Sequence, residues 1–149
     1  MKKRSGFTLI ELIVTIAVMA IIAMMAAPSF REKIAEKRLK KNALQLVEVL
    51  NESRSNAVIQ RENIEIELIA SSTAKVTDNT DHKIYWALPD TMSFHPDSVK
   101  KIQYSMSGAL KNTLKDQKII LCSTSSKKSQ IIKVSRMGAV QAIEEGTCP

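Results

Sequence analysis

The chain has 149 residues, enough for one modest domain with an appendage and too few for two full domains. It carries 22 basic and 15 acidic side chains, a formal net charge of +7, but Lys2, Lys3 and Arg4 lie together ahead of an apolar run. Without them the positive balance is mild and permits nucleic-acid or anionic-surface binding without arguing for either. The two cysteines, Cys122 and Cys148, have no Cys-x-x-Cys spacing and are too few to make a metal centre.

The first element is the apolar stretch from Phe7 to Ala27, whose polar side chains are Thr8, Glu11 and Thr15. As a helix it spans about 31 Å, against a hydrocarbon core of roughly 30 Å, so it can cross a membrane once. It makes a poor secretory signal, because such signals have an apolar region of roughly 7 to 15 residues followed by a small-x-small cleavage site. Here Pro28 follows instead. Glu11 is the anomaly, since a carboxylate in hydrocarbon costs a few kcal/mol unless it is neutralised or paired. A simple signal anchor would tolerate it only near the interface, by snorkelling.

The residues Lys2-Lys3-Arg4-Ser5-Gly6-Phe7-Thr8-Leu9-Ile10-Glu11-Leu12 closely resemble the class III signal of type IV prepilins and type II secretion pseudopilins. The resemblance implies cleavage after Gly6 by a membrane-embedded prepilin peptidase and methylation of the new amine at Phe7. It also implies that Glu11 meets the N-terminal amine of a neighbouring subunit during assembly. Independently of the family, a lipid-embedded helix with a free ammonium at its start and a carboxylate one turn later satisfies both charges only in a complementary arrangement. Pro28 stands where pilins commonly carry a proline; it removes one helical hydrogen bond and is expected to kink or loosen the helix.

Beyond Pro28 the apolar residues Ile34, Leu39, Ala43, Leu46, Val47, Leu50, Ala57 and Val58 recur at helical spacing, and no Gly or Pro interrupts Ser29 to Asn63. One long helix is therefore expected from near Phe7 to about Asn63, with Glu32, Lys33, Glu36, Lys37, Lys40 and Lys41 on its solvated side. The basic residues Arg31, Lys33, Lys37, Arg38, Lys40 and Lys41 outnumber those of the leader, so the positive-inside rule places the head in the cytoplasm. The prepilin-like signature implies the opposite, a cytoplasmic leader and an exported head, and we follow the signature as the more specific signal. Export in turn favours a disulfide between Cys122 and Cys148 over two buried thiols.

From Ile64 the pattern turns to period two. Strands are predicted over Ile64 to Leu68, Lys83 to Leu88, Val99 to Tyr104, Lys118 to Cys122, Gln130 to Val134 and Ala139 to Ile143, with Ser135-Arg136-Met137-Gly138 as a hairpin turn. The expected fold class is α+β, a long N-terminal helix, transmembrane then amphipathic, packed on a small antiparallel β-sheet head. The expected divisions are a leader (1–6), a membrane and filament-core helix (7–28), an amphipathic helix (29–63) and a β-rich head (64–149). Ser53-Arg54-Ser55-Asn56-Ala57-Val58 before the first strand, and a terminal hairpin with Gly138, are similar to the GspH/FimT/FimU group of minor pilins and pseudopilins.

Nothing in the chain points to catalysis or a cofactor: no nucleophile elbow, phosphate loop or zinc-protease helix is present, and His82 and His95 lie in polar, turn-like contexts. The resemblance implies a structural subunit, a minor pilin near a filament tip. Its partners would be other major and minor pilins, the prepilin peptidase, and the inner membrane with its assembly platform. The alternatives are a minor pseudopilin of type II secretion, a non-polymerising periplasmic anchor, and a DNA-binding pilin for natural transformation. For the last, Lys127, Lys128, Lys133 and Arg136 are the candidate contacts; the Gly-Arg-x-Arg arginines of DNA-binding relatives are missing, since Ala139 follows Gly138.

Overall fold

The computed structural model describes residues 7–70 and 82–148, with the side chains of 25–28 outside that description. A single helix α1 (Leu9–Gln60) is followed by β1 (Ile64–Ile69), β2 (Lys83–Ala87), β3 (Met92–Phe94), β4 (Lys101–Tyr104), β5 (Gln117–Ser123), β6 (Lys128–Val134) and β7 (Val140–Thr147). The chain divides into two compact units, Met1–Ile34 and Ala35–Pro149, and α1 runs through both. The helix continues across 25–28, but whether Pro28 kinks it as expected lies outside the described residues, as does the leader 1–6.

In the second unit the helix buries Leu39, Ala43, Leu46, Leu50 and Ala57, a stripe at three- and four-residue spacing. Two expectations fail in detail. Val58 is 47% exposed, and the position that completes the stripe is Ser53, fully buried. Ser53 is tolerated there because its hydroxyl donates to the Val49 carbonyl at 2.6 Å, so no polar atom is left unpaired. The helix ends three residues before the expected Asn63. Arg61 adopts a left-handed conformation (φ 55°) and the Glu62 amide donates to the Ala57 carbonyl at 3.2 Å, the six-to-one bond of a Schellman stop.

The strands form two sheets, one of order β2-β1-β4 and one of order β3-β5-β6-β7. The second is antiparallel throughout. The first departs from the all-antiparallel expectation, because β1 and β2 pair in parallel while β1 and β4 are antiparallel. The connection 70–82 has the length that a parallel crossover requires, whereas a hairpin needs only a few residues. The short strand β3 was not predicted; it has only three residues and earns its place by pairing with β5. The helix and β1 to β6 share one apolar core that includes Ile66, Trp86, Leu88, Met92, Ile102, Tyr104, Ile119, Leu121 and Ile132. Trp86 of the first sheet meets Phe94 of the second edge to face, 6.3 Å between ring centres.

Cys122 and Cys148 form a disulfide with Cα atoms 5.9 Å apart, joining β5 to the tail behind β7. The bond closes a loop of sequence separation 26, so its removal restores denatured-chain entropy worth about 3–4 kcal/mol. We expect urea unfolding of the reduced chain, or of the paired Cys122→Ser and Cys148→Ser substitution, to fall short of the oxidised chain by about that amount. An unchanged midpoint would mean that β7 is held by its ladder alone.

Candidate functional site

Three features offer themselves as functional: the start of α1, the basic residues of the head and a pair of turns at the C-terminal end of the helix. At the start of α1, Thr8 is the N-cap. Its hydroxyl accepts from the Glu11 amide at 3.3 Å and its carbonyl accepts from the Leu12 amide at 3.2 Å. Thr8 and Glu11 therefore stand at the positions of a capping box, and Glu11 lies in the first turn, where the helix dipole favours a negative charge.

Along the following turns no face is sheltered. Phe7, Leu9, Ile10, Leu12, Ile13, Val14, Ile16, Val18, Met19, Ile21, Ile22 and Met24 are all exposed, from 49% at Ile13 to 86% at Phe7. A helix apolar on every side needs lipid or other helices around it. Among the described residues no single helix is long and apolar enough to cross a membrane, although Leu9–Met24 and Ser29–Gln60 together pass that test as a bent pair. The Thr15 hydroxyl donates to the Leu12 carbonyl at 2.7 Å and so hides within the helix. With Thr8 spent on the cap and Thr15 on the backbone, Glu11 is the polar side chain still to be satisfied; among the described residues none pairs with its carboxylate.

The four basic residues singled out in the head do not gather. Lys127 sits in the β5–β6 turn with φ 51°, and its carbonyl accepts from the Cys148 amide at 2.8 Å. Lys128 beside it pairs with Glu36 on α1 at 2.6 Å, and Lys133 pairs across the strands with Glu144 at 2.5 Å. Arg136 lies in the β6–β7 turn, at the other end of a strand about 20 Å long. The histidines are also apart: His82 pairs with Glu62, while His95 accepts from the Asp97 amide at 3.2 Å. Among the described residues no group of three His, Cys, Asp or Glu side chains is placed to hold a metal.

One arrangement went unrecognised in the sequence although its signal is there. Ser105-Met106-Ser107-Gly108-Ala109 and Ser135-Arg136-Met137-Gly138-Ala139 are two copies of one turn. In each, the glycine amide donates to the first serine carbonyl at 2.8 Å, the serine amide donates to the alanine carbonyl (2.8 and 2.9 Å), and the glycine has positive φ (76° and 81°). The turns lie against each other: the Leu110 amide donates to the Arg136 carbonyl at 2.9 Å. A Cβ at Gly138 would lie 2.0 Å from the Gly108 carbonyl oxygen. Arg54 from α1 fastens the pair, its Nε donating to that same oxygen at 3.0 Å. Tyr104 beneath is fully buried, and burial pushes its hydroxyl up to about 12 despite the nearby Arg54 charge, which acts the other way.

Comparison with known proteins matches residues 1–27 to the prokaryotic N-terminal methylation motif. No curated protein sequence matches the chain. Among solved structures, the Pseudomonas aeruginosa type IV minor pilin FimU is similar in two crystal forms. The first has 17% identity and a TM-score of 0.52 over 76% of this chain and 97% of that one. The second has 19% identity and a TM-score of 0.50 over 71% and 92%. At these identities the likeness is one of fold: a long N-terminal helix on a small, mostly antiparallel sheet head.

Proposed function

We propose that the chain is a minor pilin: a non-catalytic filament subunit that is cleaved after Gly6 by prepilin peptidase, methylated at Phe7 and drawn from the membrane into a filament with other pilins. The observation that carries this reading is the start of α1, where Glu11 stands on a helix apolar on all sides with its neighbours' hydroxyls already satisfied. Such a helix is stable in lipid or among other helices, and an ionised Glu11 is stable in either beside a cation. Cleavage after Gly6 creates one, the ammonium of Phe7, at the start of the same helix. The methylation motif over residues 1–27 and the fold shared with a type IV minor pilin support this reading over that of a plain membrane anchor. The disulfide-bonded head and the pilus origin of that similar structure favour a pilus over a type II secretion pseudopilus. A DNA-binding role gains nothing from the head, because Lys128 and Lys133 face carboxylates and Arg136 stands apart from Lys127.

The test is intact mass and N-terminal sequencing of the membrane form from cells with and without active prepilin peptidase. We expect a chain beginning at N-methyl-Phe7 only when the peptidase is active. Retention of residues 1–6 in both would move the protein to the non-polymerising anchor.

A further inference from the structure

Within the second unit, the period of two sorts the side chains of β6 onto the two faces of its sheet. Lys128, Gln130, Ile132 and Val134 share the face toward α1: the last two belong to the core, and Lys128 pairs with Glu36 of the helix at 2.6 Å. Glu145 of β7 stands directly opposite Gln130 in the ladder and therefore lies on that same face. As β7 is the edge of the sheet, the face stays open beside it. A cleft of about 210 Å³ results, lined from α1 by Glu36, Lys37, Leu39 and Lys40, one turn of helix, and from the strands by Lys128, Gln130 and Glu145.

The polar groups of this cleft are not matched within it. Gln130 is only 6% exposed, yet among the described residues no hydrogen bond engages its side-chain amide, which opens onto the cleft. A buried amide is normally paired, so this one marks a place where a ligand can supply the partner. Lys37, Lys40 and Glu145 have no oppositely charged partner among the described residues. Because Glu36 and Lys128 neutralise each other, the cleft presents two ammonium groups, one carboxylate and one amide. We propose that it binds an acidic amino acid of the L-glutamate or L-aspartate class. Such a molecule carries two carboxylates and one ammonium, the complement of Lys37, Lys40 and Glu145, and the Gln130 amide can donate to a carboxylate or accept from the ammonium. Size agrees with charge: at about 30 Å³ per water the cleft has room for roughly seven waters, the bulk of one such molecule. A plain dicarboxylate would leave Glu145 unpaired, and a basic amino acid would meet both lysines. Once bound, the ligand ties α1 to the edge strand β7.

The experiment is isothermal titration calorimetry of the full-length chain in a neutral detergent, with L-glutamate, L-aspartate, succinate, glycine and L-lysine as probes. We expect saturable one-to-one binding of an acidic amino acid, about tenfold tighter than succinate, which lacks the ammonium, or glycine, which lacks the second carboxylate; L-lysine should not bind. Glu145→Gln should weaken the acidic amino acid about tenfold and bring it level with succinate. Glu145 is exposed, so without ligand that variant should unfold at the wild-type midpoint. Gln130→Leu should weaken the acidic amino acid as well, whereas Lys133→Gln, on the opposite face of β6, should bind as wild type does. Absence of saturable binding by the folded chain overturns the proposal. So does succinate binding as tightly as L-glutamate with Glu145→Gln without effect, the mark of unspecific attraction of anions to surface lysines.

Discussion

Filaments sheared from cells carrying Glu11→Ala are expected to contain at least about tenfold less of this chain than wild type, although the precursor is made, cleaved and inserted. The size follows from the charge. An unpaired ionised carboxylate at membrane depth costs about 3 kcal/mol, and each 1.4 kcal/mol is a factor of ten in the balance between membrane and filament. In the role proposed for Glu11, the wild-type side chain makes the lipid-embedded state costly and the paired state favourable, so that assembly would remove the cost. Alanine abolishes that difference and leaves the subunit content in lipid. Glu11→Gln separates charge from capping, since glutamine keeps the capping-box side chain opposite Thr8 but not the charge. If assembly depends on charge, glutamine fails as alanine does; if Glu11 only stabilises the first helical turn, glutamine assembles normally. The core of the head begins at Leu39, so thermal unfolding of that core should be unmoved in both variants.

Gly138→Ala is expected to be the most damaging single substitution in the head, at about 3–5 kcal/mol. Two costs combine. A side chain in the left-handed region costs about 1–2 kcal/mol, and the new methyl would sit 2.0 Å from the Gly108 carbonyl oxygen and 3.0 Å from Tyr104, forcing backbone apart from backbone. Gly108→Ala is the informative control. Its φ is alike, but its added Cβ meets chiefly the Val58 side chain, at 2.9 Å, which is exposed and free to turn away. Urea unfolding should therefore rank Gly108→Ala well below Gly138→Ala, at about 1–2 kcal/mol. Equal losses would mean that the positive φ, and not the contact between the two turns, is what each glycine supplies.

Much of this architecture was readable from local pattern. The helical stripe from Leu39 to Ala57, the alternation at Ile64, Ile66 and Leu68, and the hairpin at Ser135 to Gly138 all appear where their periods and turn residues placed them. The cysteine pairing followed once export was inferred. What escaped depends on partners distant in sequence. The three residues of β3 have no period of their own and are a strand because β5 lies beside them. The parallel pairing of β1 and β2 leaves no mark in the period of either strand. Lys128 and Lys133 looked like a patch because Glu36 and Glu144, which turn them aside, are 92 and 11 residues away in the chain. The repeated Ser-x-x-Gly-Ala turn was visible in principle, but its meaning, one turn leaning on another under Arg54, is a tertiary fact.

The cystine between Cys122 and Cys148 also has a mechanical meaning. In the filament proposed above, any tension along the fibre would fall on its subunits, and a strand at the edge of a sheet is the first to be drawn out. Here β7 is that edge strand, yet its far end is fastened to β5, two strands inward. The intervening chain, sequence separation 26, would otherwise release about 90 Å of extended polypeptide. With the bond closed that length is never paid out, so a head that begins to open under load stays short and can snap shut when the pull ends.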